Sequence, residues 1–220
     1  MRPSLRFAFI NCIVLLMFTS SVHALENAYR WRSQANQAAY SAIVTGNPTI
    51  RDAPGTDWSY MRVAVQRIIN SNVYYAEIGW LKGTYPESNL TPRSYWTYRA
   101  TDGTTAQGWG GYPSVGVGYN YRVSKSGTSN YWDFYFNSLT TPLVTRWVGW
   151  NTADRFFSGG EVPTSTPRQG MGDSHNNNVQ YLSTTGSWYA ACNMTEYISD
   201  TIYHITDGAN CSSWRIYGNN

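Results

Sequence analysis

Along the chain, short runs of aromatic and β-branched residues alternate with polar ones and are broken at close intervals by turn-forming clusters. A period of two predicts half-buried β-strands. The runs place strands near 39–44, 59–69, 73–82, 93–100, 117–124, 131–137, 144–150 and 155–162, with weaker ones near 178–183, 194–198, 201–206 and 213–217. Between them stand Asn47-Pro48, Ala53-Pro54-Gly55, Tyr85-Pro86, Thr101-Asp102-Gly103, Ser126-Gly127 and Thr141-Pro142, residues that preset turn dihedrals or permit positive φ. Gly108-Trp109-Gly110-Gly111-Tyr112 reads as a loop, since no helix signature follows to make it a phosphate cradle. No stretch beyond residue 24 sustains a helical period. The expected fold is all-β: a two-sheet antiparallel β-sandwich.

One long apolar run stands apart. Phe7 to Phe18 follows the basic Arg2 and Arg6 and precedes Val22-His23-Ala24, a small-x-small cleavage site, so residues 1–24 read as a secretory signal peptide. Residues 25–220 then form a single domain, and with no second apolar span a membrane anchor is not expected. The protein is expected to be secreted, or periplasmic if bacterial. Cys12 leaves with the leader, and Cys192 and Cys211 remain as a pair for which a disulfide is the default in an oxidising compartment. The leader also takes Arg2 and Arg6 from the 16 basic residues against 13 acidic ones, so the exported chain is close to neutral and carries no basic field for nucleic acid. Charged residues make up 13% and aromatic ones 16%, a composition that suits strands and turns.

Most carboxylates, among them Asp52, Asp57, Glu87, Asp102, Asp173, Asp200 and Asp207, fall where solvated turn residues are expected. Glu77 and Glu161 do not. Glu77 sits in the otherwise apolar Tyr74-Tyr75-Ala76-Glu77-Ile78-Gly79-Trp80-Leu81, and strand alternation puts it on one face with Tyr75, Gly79 and Leu81. Glu161 sits in Phe156-Phe157-Ser158-Gly159-Gly160-Glu161-Val162, on one face with Phe157 and Gly159. In each strand a glycine two residues from the glutamate leaves room on that face for a substrate backbone. If the strands share a sheet, the two carboxyls meet and one retains a proton into mild acid, a pair able to activate water and polarise a substrate. The alternative makes them unrelated strand residues, facing solvent or neutralised by Arg62, Arg99 or Arg146. Residue pattern alone leaves both readings open.

Ala76-Glu77-Ile78-Gly79-Trp80 and Gly159-Gly160-Glu161-Val162 resemble the two signature strands of the neprosin family of glutamic endopeptidases. Tyr95-Trp96-Thr97 after the first, and Met171-Gly172-Asp173-Ser174-His175 after the second, are similar to further segments of that family, in the same order. The resemblance spans Tyr74 to His175. It implies a jelly-roll or concanavalin-like sandwich with Glu77 and Glu161 catalytic. Tyr75, Gly79, Gly159 and His175 are expected beside the substrate. The resemblance also implies an acid-acting, secreted endopeptidase that needs no cofactor or metal and favours cleavage next to proline. The chain departs from plant members in lacking a pro-domain, in being shorter, and in diverging after His175.

The expected partner is a peptide or protein substrate, with no nucleic acid or membrane involved, and a monomer is expected. Only His175 and His204 follow the leader, too few and wrongly spaced for a histidine metal site, and a hydrogen bond in a loop is a plainer reading of His175 than a part in the chemistry. Two rival functions use the same features. One is a secreted glycoside hydrolase built on two glutamates. The other is a non-catalytic carbohydrate- or surface-binding module that stacks ligand on Trp80, Trp96, Trp109, Trp132 or Trp150.

Overall fold

A computed structural model of the chain describes residues 25–50, 57–83, 89–163 and 170–218. The signal-peptide reading of 1–24, the Ala53-Pro54-Gly55 and Tyr85-Pro86 turns, and Asp52 and Glu87 lie outside the described residues. Among those residues there is no helix, and fourteen strands pair antiparallel throughout. They are β1 (Leu25–Val44), β2 (Trp58–Ile69), β3 (Asn72–Gly83), β4 (Asn89–Arg99), β5 (Thr105–Trp109), β6 (Gly118–Lys125), β7 (Tyr131–Phe136), β8 (Val144–Trp147), β9 (Ala153–Pro163), β10 (Gly172–Ser183), β11 (Trp188–Ala190), β12 (Thr195–Ile198), β13 (His204–Asp207) and β14 (Trp214–Gly218).

All fourteen belong to one hydrogen-bonded sheet that β1 folds into two layers. The first half of β1 pairs with β9 and β12, and after a register shift between Ser33 and Asn36 its second half pairs with β10 and β6. A bulge bends a strand and strengthens its twist, which lets one strand serve two layers. The first layer runs β12-β1-β9-β2-β3-β4-β5, and the second runs β13-β14-β10-β1-β6-β7-β8, with β11 beside β10. This is the expected sandwich. Only 39–44 of β1 is legible as a strand, because Asn27, Arg30, Arg32, Gln34 and Gln37 hide its first half; pairing on both edges makes it a strand regardless. The same override makes Thr105–Trp109 a strand, so the expected loop at 108–112 begins only after Trp109.

The layers meet through alternate residues. Met61, Val63 and Val65 of β2, Ala76, Ile78 and Trp80 of β3, and Phe156 and Val162 of β9 face Tyr121, Val123, Trp132, Phe134, Trp214 and Ile216. Trp80, Trp96, Trp132 and Trp150 are core residues, which removes four of the five tryptophans expected to stack a ligand in a binding module. One polar knot interrupts the apolar interior. Ser158 Oγ lies 3.0 Å from the Arg62 carbonyl and 2.7 Å from Asn176 Oδ1, tying β2 and β9 to β10 in the facing layer.

Cys192 and Cys211 form a disulfide that joins the segment after β11 to the connection between β13 and β14. It closes a loop across a sequence separation of 19, for which chain entropy gives a stabilisation of about 3 kcal/mol. Replacing both cysteines by serine is expected to lower the unfolding free energy by that amount in urea titrations under non-reducing conditions.

Candidate active site

The site is built on three adjacent strands of the first layer. Asn70 and Ser71, with φ of 49° and 64°, close the β2–β3 hairpin, the left-handed pair a two-residue type I′ turn requires. That turn fixes the register so that Arg62 opposes Gly79 and Ala64 opposes Glu77. On the other edge of β2, Arg62 opposes Gly159 and Tyr60 opposes Glu161. Because β3 and β9 both run antiparallel to β2, they run parallel to each other. The two motifs are written in opposite senses, glutamate before glycine in β3 and glycine before glutamate in β9. Their glycines therefore line up on either side of Arg62, and their glutamates reach toward it from opposite ends of the outer face.

A Cβ at Gly79 would collide with the Met61 carbonyl and lie 2.8 Å from the Arg62 Cα, and one at Gly159 would collide with the backbone of Tyr29. The glycines are thus demanded by the close approach of neighbouring strands. The room expected beside each glutamate is taken up by that backbone and by the arginine.

Arg62 joins both acids. Its Nη2 donates to Glu161 Oε2 at 2.6 Å, and its Nε lies 3.1 Å from Glu77 Oε2, an ion pair without hydrogen-bond alignment. Tyr95 donates a longer hydrogen bond, 3.4 Å, to Glu77 Oε1. The guanidinium carbon sits 4.5 Å from the Tyr60 ring centroid and 5.0 Å from that of Phe157. Glu77, Glu161 and Arg62 are 7%, 6% and 7% exposed, so their charges meet largely out of water. The two carboxyls meet through Arg62, which contacts both.

Burial dominates the proton balance at Glu77. Desolvation pushes its carboxyl up, Arg62 pulls it down, Glu161 pushes it up again, the Tyr95 hydrogen bond draws it slightly back, and the outcome is a shift from 4.5 to about 7. Burial also pushes Tyr60 and Tyr95 well above the usual tyrosine range and keeps them neutral phenols. For Arg62, burial works downward, but Glu161 and Glu77 outweigh it and keep the guanidinium charged.

Two cavities open on this cluster and share Glu161. One, of about 230 Å³, is lined by Trp58, Tyr60, Tyr75, Glu77, Tyr95 and Trp109 among others. The second, of about 360 Å³, lies over β1, β9 and β12, where Tyr29, Trp31, Gln66, Arg155 and Tyr197 surround Arg62 and Glu161. Tyr75 is thus brought to the cleft. His175 is not: it stands on β10 in the second layer, its side chain 45% exposed and its Nε2 3.6 Å from Asp173, and it lines neither cavity. The neighbouring Met171 packs beneath β9 instead, 3.0 Å from where a Gly160 Cβ would stand. Among the described residues no cluster of three or more His, Cys, Asp or Glu side chains could hold a metal ion. Tyr60, Trp58 and Tyr95 were missed as site residues, although period-two counting from Arg62 along β2 reaches Tyr60 and Trp58.

No family model matches the chain, and no curated protein matches it. Solved structures do. Scytalido-glutamic peptidase with a transition state analog inhibitor aligns with a TM-score of 0.60 over 88% of this chain and 98% of that one, at 8% identity. The same peptidase with a peptide-based transition state analog gives 0.57 over 90% and 99%, also at 8% identity. SCP-B, a member of the Eqolisin family of peptidases in complex with the tripeptide Ala-Ile-His, gives 0.51 over 90% and 99%, again at 8% identity. At that identity the likeness establishes a shared all-β fold over nearly the whole of each chain.

The raised carboxyl has a thermodynamic consequence. Glu77 titrates near 4.5 when unfolded and near 7 when folded, so its contribution to stability is complete below the lower value and is lost as pH rises through the upper one. The loss is on the order of 3 kcal/mol. Urea midpoints are expected to fall between pH 5 and pH 8, and Glu77→Gln, which cannot ionise, is expected to flatten that decline.

Proposed function

We propose that this chain is a secreted, monomeric glutamic endopeptidase that hydrolyses peptide bonds in acid, with Glu161 as general base and Glu77 as general acid. The observation that carries the reading is the convergence of both glutamates on Arg62 in an aromatic cleft, with Glu77 still protonated up to about pH 7. A water beside Glu161 loses a proton to that carboxylate as its oxygen attacks the scissile carbonyl carbon. Neutral Glu77 donates to the carbonyl oxygen as negative charge develops there. The tetrahedral adduct collapses when the amide nitrogen takes the proton held by Glu161. The bond to nitrogen breaks, a hydroxyl of the adduct returns its proton to Glu77 as the acid's carbonyl re-forms, an acid and an amine leave, and both glutamates regain their starting protonation. Arg62 holds the two carboxyls at one point and offsets the charge of the base. This chemistry calls for no metal or other cofactor.

Cavities on both sides of Glu161 suit an internal peptide bond, since chain can extend either way from the scissile carbonyl. From β5 to β12 the layer spans six strand spacings of about 4.8 Å, or ~29 Å, room for about eight extended residues. The glutamic peptidases among the solved structures support the reaction class, and the neprosin-like motifs support the choice of Glu77 and Glu161. Walls of Trp58, Tyr60, Tyr95 and Trp109 suit a proline ring, which supports cleavage beside proline. A glycosidase reading draws on the same walls: Trp58 and Tyr60 stack with centroids 4.8 Å apart and could seat a sugar. Polysaccharide turnover without peptide cleavage in acid would favour it.

Incubating the protein with a mixed peptide library and reading products by mass spectrometry tests the proposal. Peptide kcat/KM is expected to fall as pH rises through about 7, the point at which Glu77 loses its proton. Glu161→Gln is expected to lose about 10³-fold to 10⁴-fold in rate. Glu77→Gln, which keeps a hydrogen-bond donor, is expected to lose about 10²-fold and the alkaline fall with it. A wild-type rate that stays level up to pH 9 would contradict the assignment.

A further inference from the structure

Arg155 lies in the second cavity without an acidic partner. Arg30 pairs with Glu196 and Asp207, Arg62 with Glu77 and Glu161, Arg67 with Asp154, and Arg215 with Asp173. Arg155 has no carboxylate within ion-pair reach among the described residues, and its buried Nε has no hydrogen-bond partner. Its guanidinium carbon lies 5.3 Å from the Trp31 ring centroid, so a flat cation is held in place over an indole face. Register places Gln66 directly opposite on β2, adding amide donors beside the cation. Among the described residues the only carboxylate lining this cavity is Glu161, and Arg62 already engages it.

A half-buried guanidinium that lines the cavity without a carboxylate partner among the described residues calls for an acceptor from ligand or solvent, and a carboxylate matches its planar fork. We propose that Arg155, with Gln66, forms a subsite that recognises a carboxylate of the bound peptide and so sets sequence preference. The inference rests on the peptidase reading for the nature of its ligand. Arg155 stands four residues before Gly159 on β9, about 13 Å along the strand, which keeps the recognised group within about four residues of the scissile bond. The carboxylate can come from an Asp or Glu side chain within the peptide or from a free C-terminus. Either is ionised above about pH 4.5.

Paired peptides that carry Glu or Gln at each position within four residues of the scissile bond, each made with a free and an amidated C-terminus, test the subsite. Cleavage by the wild-type protein and equilibrium binding to the Glu161→Gln variant are both measured. The expected result is about a tenfold preference for the acidic member at one position, seen mainly in KM and absent below about pH 4. Arg155→Met, which keeps an apolar stem over Trp31, is expected to bring the ratio close to one, and Arg155→Lys to restore part of it. A preference that follows the side chain identifies an internal acidic residue, and one that follows only the free terminus identifies end recognition. The pH dependence needs no variant, so the test survives if Arg155→Met does not fold. Cleavage with equal rates for Glu and Gln peptides, free or amidated, overturns the subsite and leaves the peptidase standing. Preferential binding of acidic peptides without any cleavage does the reverse.

Discussion

A single guanidinium organises the working face of this protein. Arg62 places a positive charge where water scarcely reaches; its hydrogen bond of 2.6 Å to Glu161 offsets that charge, and Glu77 lies 3.1 Å away on its other side. Removing Glu161 would strand the charge. The backbone has been shaped to allow the contact: glycines flank Arg62 on both neighbouring strands, and the Ser158 hydroxyl lies between the Arg62 carbonyl and Asn176 of the facing layer. Without the glycines the strands could not approach, and the two acids could not reach one cation from opposite ends of the face.

Unequal contacts within one buried cluster also explain how two chemically identical side chains come to differ. Glu161 receives an aligned hydrogen bond from Arg62, whereas Glu77 has a longer, poorly aligned contact and a distant phenol. Burial then weighs on Glu77 and holds a proton on it to about neutral pH. A pair of acids separated by environment in this way can divide the work of acid and base. In the proposed mechanism that division rests on Glu77 and Glu161 lying one strand away on either side of β2.

The fold was legible where alternation was undisturbed. From Trp58 to Gly83 the two strands and their buried face follow from a period of two, while the Asn70-Ser71 turn, which sets the register that delivers Arg62 to Gly79, was not singled out. The first half of β1 was hidden because its polar residues carry no apolar stripe; its strand state comes from β9 and β12 on either edge, which is tertiary information. Within the site, both glutamates and their glycine neighbours could be picked out, yet the meaning of the glycines could not. Their role depends on how close Met61 and Tyr29 come across the sheet, a distance that no single strand encodes. Arg62 was visible only as one of three possible neutralising arginines. The neighbour relation of β3, β2 and β9 selects it, because β2 lies between the two acids. His175 was drawn toward the site by its place after the second motif, but β10 carries it into the other layer.

The central claim is that Glu77 sits in a buried cluster around Arg62 and keeps its proton far above the usual carboxylate range. Carbon-13 NMR of the glutamate side-chain carboxyls across a pH titration measures this directly. One resonance should titrate near pH 7 and disappear in Glu77→Gln. If every glutamate carboxyl instead titrates between about pH 4 and 5, as free carboxylates do, the cluster is not as described and the assignment of acid and base falls with it.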